Sequence, residues 1–286
     1  MFFASYSFLD WTRQLLAWCA PSLTNLCLLL SEASSVALRQ FLSTTRLPSL
    51  TELDVTCTAG EANMTGTDVL FFLATHPSIQ KLCLHGVQVP AGISPLSVIA
   101  QPFLPSLVEV TAHPIYIQWL LRNKEQCPRL KQVTLPTERY ANRGCPFTYD
   151  MLDRALENLV PHSHKLDLII FSFAKDHADL DSWLQSHIDA GPDASIPSSF
   201  IDTKRLRIDA EYSVKIINVP PRLELVAQFV GLFPNLQILE LQRQPGLVNG
   251  RIPPMVQQTV RLYCPQVKKV TINGKDISEV EQSKEG

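Results

Sequence analysis

The amino-acid sequence predicts an α/β solenoid in which stacked strand–loop–helix units form a curved parallel sheet on the concave face, with the helices outside. Two observations predict this fold. A short proline-led phrase recurs along most of the 286 residues, and segments with helical periodicity separate its copies. The composition, 45% hydrophobic and 18% charged, is that of a folded globular protein.

Each full copy of the phrase is a proline with aliphatic residues at the second, fifth and seventh positions after it, as in "CPRLKQVTL" at Cys127–Leu135. The fifth and seventh residues are two apart, so they share one face of a strand. The proline cannot continue a helix and therefore ends the preceding one. Seven copies start at prolines, with Ala112 at the seventh position of one of them: Pro21, Pro48, Pro77, Pro105, Pro128, Pro234 and Pro265.

Two weaker copies bring the predicted number of units to about nine. One starts at Pro161 and directs Leu166 and Leu168 inward, and the other starts at Ile201 without a proline. One unit cannot bury its own apolar face, so we expect the units to stack in a single domain. The predicted bounds are 1–275 for the domain, 24–29 for the first strand, 268–273 for the last strand and 276–286 for a polar, disordered tail.

Helical periodicity fills the intervals between the copies and completes the repeating unit. The periodic segments are Val36–Leu42, Thr67–Ala74, Ile117–Asn123, Tyr149–Leu159, Leu180–His187, Leu225–Phe233 and Met255–Tyr263. Three longer inserts interrupt the rhythm at 136–146, 189–199 and 242–254. The insert at 189–199 is rich in Gly, Pro and Ser, so we expect it to be mobile.

These units resemble leucine-rich repeats, and more narrowly the irregular repeats of fungal F-box/leucine-rich-repeat proteins, which carry phrases like "CPRLKQVTL" and "FPNLQILEL" (Phe233–Leu241). The resemblance covers roughly residues 20–275. It implies a ribonuclease-inhibitor-like solenoid that recognises a protein partner. For the F-box proteins it also implies the substrate-recognition arc of a ubiquitin-ligase adaptor, which would join a cullin ligase through a small adaptor subunit.

The F-box itself, a short N-terminal helical module that usually opens with a pattern like LPxEL, is not seen in this sequence. The stretch "FLDWTRQLLAWCAPSL" at 8–23 reads instead as the helix of one unit running into the next strand. Residues 7–19 are then either an N-terminal cap or the continuation of an upstream portion. The alternative function is therefore a stand-alone leucine-rich-repeat scaffold that is unrelated to ubiquitination.

A partner would meet the residues between the inward aliphatic positions, which lie four, six and eight residues after each proline. This face is predicted to be acidic toward the N-terminus and basic toward the C-terminus, and to steer a protein with the opposite gradient. The alternative is a solvated sheet face with scattered charges. The candidate partner-binding residues are Glu52, Asp54, Lys81, His85, Glu109, His113, Gln132, Thr134, Lys165, Asp167, Arg205, Arg207, Glu240 and Lys269.

The sequence offers little for catalysis or metal binding. His85 and His113 fall at equivalent positions of adjacent copies, but Cys83 and Thr111 would complete a metal site poorly. No G-x-S-x-G, Walker, G-x-G-x-x-G or HExxH motif occurs. We therefore predict no enzyme, cofactor or metal. An enzyme whose site is invisible in the sequence is the weakest reading.

The cysteines and the charge narrow the compartment and the partners. Seven cysteines form no CxxC pair and are odd in number, which favours reduced thiols in the cytoplasm or nucleus. Cys127 and Cys264 directly precede a phrase proline, so we expect them to be small packing residues. A net charge of −2 gives no general attraction for nucleic acid or an anionic membrane, so the predicted partner is a protein.

Overall fold

The computed structural model describes residues 6–30, 40, 42–57, 66–87, 103–137, 147–173, 179–210, 214–244 and 254–277. The chain divides into two compact units. The first contains Met1–Leu130 and Tyr140–Thr148, and the second contains Lys131–Arg139 and Tyr149–Gly286. Parallel strands alternate with helices in both units, which confirms the predicted α/β class.

Among its described residues, the first unit holds four strands, each paired in parallel with the next along the chain. Inward leucines stay in step across these strands, because Leu26 pairs with Leu53 and Leu53 with Leu82. The elements are α1 (Tyr6–Cys19), β1 (Asn25–Leu30), β2 (Glu52–Cys57), α2 (Gly66–Ala74), β3 (Lys81–His85), β4 (Glu109–Ala112) and α3 (Pro114–Leu120).

The proline phrase sets this register through a recurring backbone contact. The amides of Thr51 and Glu52 both donate to the carbonyl of Thr24, at 2.8 and 2.9 Å. The next copy repeats the contact, since Gln80 and Lys81 donate to the carbonyl of Thr51 at 2.7 and 3.0 Å. In each copy the third and fourth residues after the proline are therefore anchored to the third residue of the copy before. This contact places the fifth residue of each copy directly beside the fifth residue of the copy before.

The second unit follows the same rule over five parallel strands, and a sixth short strand turns back antiparallel to the fifth. Its strands are β5 (Gln132–Thr137), β6 (Leu168–Phe173), β7 (Arg205–Ala210), β8 (Ile238–Gln242), β9 (Lys269–Ile272) and β10 (Lys275–Asp276). Its α-helices are α4 (Tyr149–Leu159), α5 (Asp179–Ala194), α6 (Pro220–Gly231) and α7 (Pro254–Tyr263). Two 3₁₀ helices span Val160–Lys165 and Ile196–Ser199.

Most of the inward positions form the core of each unit, as the phrase predicts, but four are only half-buried: Leu23, Leu26 and Leu28 of the first copy and Val267 of the last. Leu53 and Leu82 of the first unit are each 2% exposed, and Leu239 of the second is 1% exposed. Along β2 buried and half-buried residues alternate, which is the burial pattern of a strand with one face in the core. The predicted burial of these three leucines is confirmed.

The predicted register of the copy at Pro161 is wrong by three residues. Pro161 does not end a helix but lies in the first turn of the 3₁₀ helix, which runs on to Lys165. Asp167 then donates its amide to the Lys131 carbonyl at 2.7 Å, the contact made by the third residue in other copies. Ile169 pairs with Val133 and takes the inward position expected for Leu166. Lys165 and Asp167 consequently precede the strand, and Leu168 and Ile170 occupy their expected places.

The insert at 189–199 is helical, whereas we predicted a mobile loop. Helix α5 runs through Pro192 to Ala194 with a break at Gly191, and the second 3₁₀ helix follows. Gly191 has φ 71°, a non-helical backbone conformation that glycine adopts at little cost, and it forms the kink between two helical segments. Most of the inserts at 136–146 and 242–254, and almost all of the predicted tail at 276–286, lie outside the described residues.

Candidate protein-binding faces

The first unit carries an open groove of about 410 Å³ on the solvent side of β1 to β4. Its polar lining comes from the fourth and sixth residues of four successive copies of the phrase. These residues are Asn25, Cys27, Glu52, Asp54, Lys81, Cys83, Glu109 and Thr111. We call this surface the N-terminal groove. It contains four of the predicted partner-binding residues, Glu52, Asp54, Lys81 and Glu109.

The fourth residues form a row of alternating charge across the strands. The Lys81 ammonium lies 3.5 Å from a Glu52 carboxylate oxygen and 4.0 Å from one of Glu109. The Asn25 side-chain amide donates a hydrogen bond to the other Glu52 oxygen. All three charged side chains are well exposed, between 40% and 52%, so these pairs are hydrated and contribute little to stability.

The sixth residues place one carboxylate between two thiols. Asp54 lies on the strand between Cys27 and Cys83, and its carboxylate accepts a hydrogen bond from the Thr56 hydroxyl at 3.1 Å. Burial, and next the Asp54 charge, raise the pKa of Cys83 to about 12, so this thiol stays protonated at neutral pH. Within the described part of the chain, Asp54 makes no ion pair.

The two histidines predicted for this face lie in different environments. His85 ends β3 and is half-buried, whereas His113 is 1% exposed. Pro114 starts α3 directly after β4, and His113 caps that helix by accepting the Ile115 amide at its Nδ1 atom, 3.3 Å away. Burial lowers the pKa of His113 to about 4. Because His113 is buried, a partner cannot contact it, and its prediction as a partner-binding residue is wrong.

The face of the second unit has its charges paired internally. Two nitrogens of Arg205 lie 2.5 and 2.7 Å from a Glu240 oxygen, on the neighbouring strand. Arg207 makes a two-pronged contact with Asp209 at 2.6 and 3.1 Å. Asp209 is 5% exposed, so this carboxylate depends on its arginine partner. The arginines predicted to form a basic surface are therefore largely neutralised by their neighbours.

The remaining candidate partner-binding residues of the second unit differ in solvent exposure. Gln132 and Thr134 are half-buried on β5. Lys269 lies 3.5 Å from Asp276 of β10, and exposed Asp167 lies 3.7 Å from Lys131. All six residues of β6 are buried, so this face is not open along its whole length.

A serine–histidine–aspartate cluster in the second unit, with a buried serine and histidine and a half-buried aspartate, escaped the sequence analysis. The His187 ring contacts a Ser195 hydroxyl through Nδ1 and an Asp153 oxygen through Nε2, each at 3.1 Å. Trp183 donates its indole N–H to the same Asp153 oxygen at 2.7 Å. The i, i+4 spacing of Trp183 and His187 was the available signal, but Asp153 and Ser195 come from other elements.

This cluster resembles a hydrolase triad in composition but lacks an accessible nucleophile. Ser195 is 4% exposed and His187 6%, and a triad serine must reach a substrate carbonyl. Its position joins α4, α5 and the second 3₁₀ helix, and it satisfies polar groups that burial would otherwise leave unpaired. We therefore assign it a structural role.

Two buried cysteines pack as predicted. Cys127 is 0% exposed and Cys264 is 1% exposed, which confirms them as packing residues. The Cys264 thiol points at the Ala227 carbonyl at 3.0 Å, and burial raises its pKa to about 12. Across the described ranges, no group of three or more His, Cys, Asp or Glu side chains is placed to hold a metal ion. No helix among the same residues is long and apolar enough to cross a membrane.

The fold and these faces define an α/β chain whose mostly parallel strands follow the register of the phrase, with polar side chains on the open side of β1 to β4. A comparison with models of known protein families found no match, and a comparison with curated proteins also found none.

Proposed function

We propose that this chain is a protein-interaction module of the leucine-rich-repeat type and that its units stack into a curved, ribonuclease-inhibitor-like solenoid. The single observation that carries the proposal is the N-terminal groove. Four successive copies of one phrase bring their variable residues into register there, while the residues beneath stay aliphatic. That combination of a constant core and a variable open face suits recognition of another protein. We propose no catalytic activity and no cofactor.

The proposed role is substrate recognition in an F-box-type ubiquitin-ligase adaptor, in the cytoplasm or nucleus. It is supported by the resemblance of the phrases to those of F-box/leucine-rich-repeat proteins. A stand-alone scaffold of the same repeat type is the second candidate, because the sequence shows no F-box pattern. The two candidates share the recognition face and differ in whether the natural protein joins a cullin ligase.

Site-specific cross-linking tests the recognition face. A photoreactive amino acid replaces Asn25, an exposed residue of the N-terminal groove, and in a control it replaces Glu125, which is exposed but outside the groove. We expect one reproducible protein adduct from position 25 and none from position 125. Equal labelling from both positions would refute the groove as the recognition face.

Affinity purification of the longest natural form of the protein decides between the two candidates. An F-box-type adaptor retains the small adaptor subunit of cullin ligases through washing, while a stand-alone scaffold does not. Loss of that subunit under conditions that keep the position-25 adduct removes the ubiquitin-ligase role and leaves the scaffold.

A further inference from the structure

The N-terminal groove has more negative than positive charge. Glu52, Asp54 and Glu109 supply three carboxylates, and Lys81 is the one cation among its lining residues. Lys81 is already shared between Glu52 and Glu109. Asp54 is satisfied by a hydroxyl from Thr56 and by the neutral Cys83 thiol rather than by a cation. The groove therefore presents a surplus of two negative charges to whatever occupies it.

The carboxylates are spread out rather than gathered at one point. Glu52 and Glu109 lie two strands apart, about 9.5 Å from backbone to backbone, and Asp54 lies about 6.7 Å along β2 from Glu52. Asp54 and Glu109 are therefore about 12 Å apart on the diagonal, close to the distance of about 13 Å between residues i and i+4, which share one face of an extended chain. A single metal ion needs ligands that converge, and no such cluster is found among the described residues. A nucleic acid would be repelled by the surplus charge.

We propose that the N-terminal groove binds an extended segment of the partner protein that carries at least two lysine or arginine side chains. This inference rests on the proposed function and specifies the chemistry of the partner. One cationic side chain lies against Asp54, and a second lies against Glu109. The uncharged Cys83 on β3 lies between these two contacts, and Cys27 and Thr111 flank them on β1 and β4.

A peptide titration of the full chain tests the proposal. The probe is a short capped peptide in which lysine and threonine alternate, so that all its lysines share one face when it is extended. The control peptide replaces every lysine by glutamate. We expect saturable binding of the lysine peptide, measured by fluorescence anisotropy, and none of the glutamate peptide. Affinity should fall as salt rises, because exposed charge pairs are screened.

Charge variants with opposite expected signs make the test specific. Asp54→Asn and Glu109→Gln should each weaken binding by about two- to five-fold, the range for an exposed ion pair. Lys81→Gln removes the competing cation and should strengthen binding by a similar factor. Glu125→Gln removes an exposed carboxylate outside the groove and should leave affinity unchanged. Circular dichroism confirms that each variant is folded.

The outcomes separate this inference from the proposed function. Equal binding of the two peptides, binding of neither, or weakening by Lys81→Gln would each overturn the cationic-segment proposal. The cross-linking experiment at position 25 is independent of charge. A specific adduct there without lysine-peptide binding refutes the partner chemistry and keeps the recognition role, whereas lysine-peptide binding without an adduct refutes the recognition role.

Discussion

The outward face of the first unit and that of the second are built from the same phrase but balance their charges differently. In the first, Lys81 is shared by two exposed glutamates, and Asp54 has no cationic partner within the described residues. In the second, Arg205 and Arg207 each hold one carboxylate at short distance. The face of the first unit therefore carries surplus negative charge, whereas most charges on the face of the second unit are paired with one another.

The difference follows from which residue stands beside each charge. Arg207 and Asp209 are two apart on β7, so they share a face and pair along one strand. Glu52, Lys81 and Glu109 pair only across strands, at longer and more hydrated contacts. Counting charges along the sequence does not distinguish these two arrangements. They nevertheless contribute differently to stability, because the exposed pairs are hydrated and the Arg207–Asp209 pair is largely buried.

The largest expected effect concerns the inward leucines, which form the core of each unit. Leu53→Asp and Leu239→Asp bury an unpaired carboxylate and should each cost more than about 4 kcal/mol, enough to unfold the affected unit. Urea unfolding followed by circular dichroism measures the loss. Leu29 of β1 is a leucine that is 61% exposed, so Leu29→Asp is the matched control and should change stability by about 0.5 kcal/mol. A similar loss at Leu29 and Leu53 would show that the phrase does not define the core.

The next effect concerns His113, one of the buried histidines of the first unit. His113 has a folded pKa of about 4 against 6.5 when unfolded, so the unfolded chain takes up its proton first. The contribution of neutral His113 to the free energy of unfolding is fully present above pH 6.5. It is lost as the pH falls toward 4, and the total loss is about 3 kcal/mol. His113→Asn keeps an acceptor for the Ile115 amide and should remove the share of the acid loss that His113 causes. Burial also lowers the pKa of His76, which keeps its own share.

Urea unfolding at pH 7 and at pH 4.5 measures the difference between wild type and the His113→Asn variant. His164→Asn, at an exposed histidine, is the control and should leave the acid loss intact. The same loss in wild type and in His113→Asn would mean that His113 is not the group responsible.

A smaller effect tests the self-paired charges of the second unit. Arg207→Gln leaves the Asp209 carboxylate buried without its two-pronged partner and should cost about 1.5–3 kcal/mol. Asp209→Asn in the same chain should recover part of that loss, because it removes a buried charge that is left with only the more distant Arg243, 3.9 Å away. The double-mutant cycle, measured by urea unfolding, gives the coupling directly. A coupling of zero would contradict the contrast drawn between the two faces.

The smallest effect belongs to the exposed row of the first unit. Lys81→Gln should change the free energy of unfolding by less than about 1 kcal/mol, because its partners are hydrated. Thermal unfolding at low and high salt measures this change, and added salt should shrink it further. A loss as large as that of Arg207→Gln would remove the distinction between surplus and self-paired charge.

The sequence predicted the positions of the strands best where the phrase is complete. The copies at Pro48, Pro77 and Pro234 end a preceding segment with a proline, and their inward leucines are buried as expected. The copy at Pro161 failed because a proline fits the first turn of a helix as well as the end of one. Pattern alone cannot tell these two uses apart, and the error moved the predicted binding residues Lys165 and Asp167 off the strand.

The sequence by itself determined the α/β class, the inward leucines and the columns of variable residues between them. Those features depend on local periodicity and on hydrophobic burial, which one chain carries in its order of residues. Only the tertiary structure decided that His113 is buried, that Arg207 is held by Asp209 and that Asp54 is left without a cation. These depend on where helices begin and on which side chains meet in space. The charge balance and the solvent exposure of a side chain depend on which residues surround it in space, and the sequence does not contain those distances.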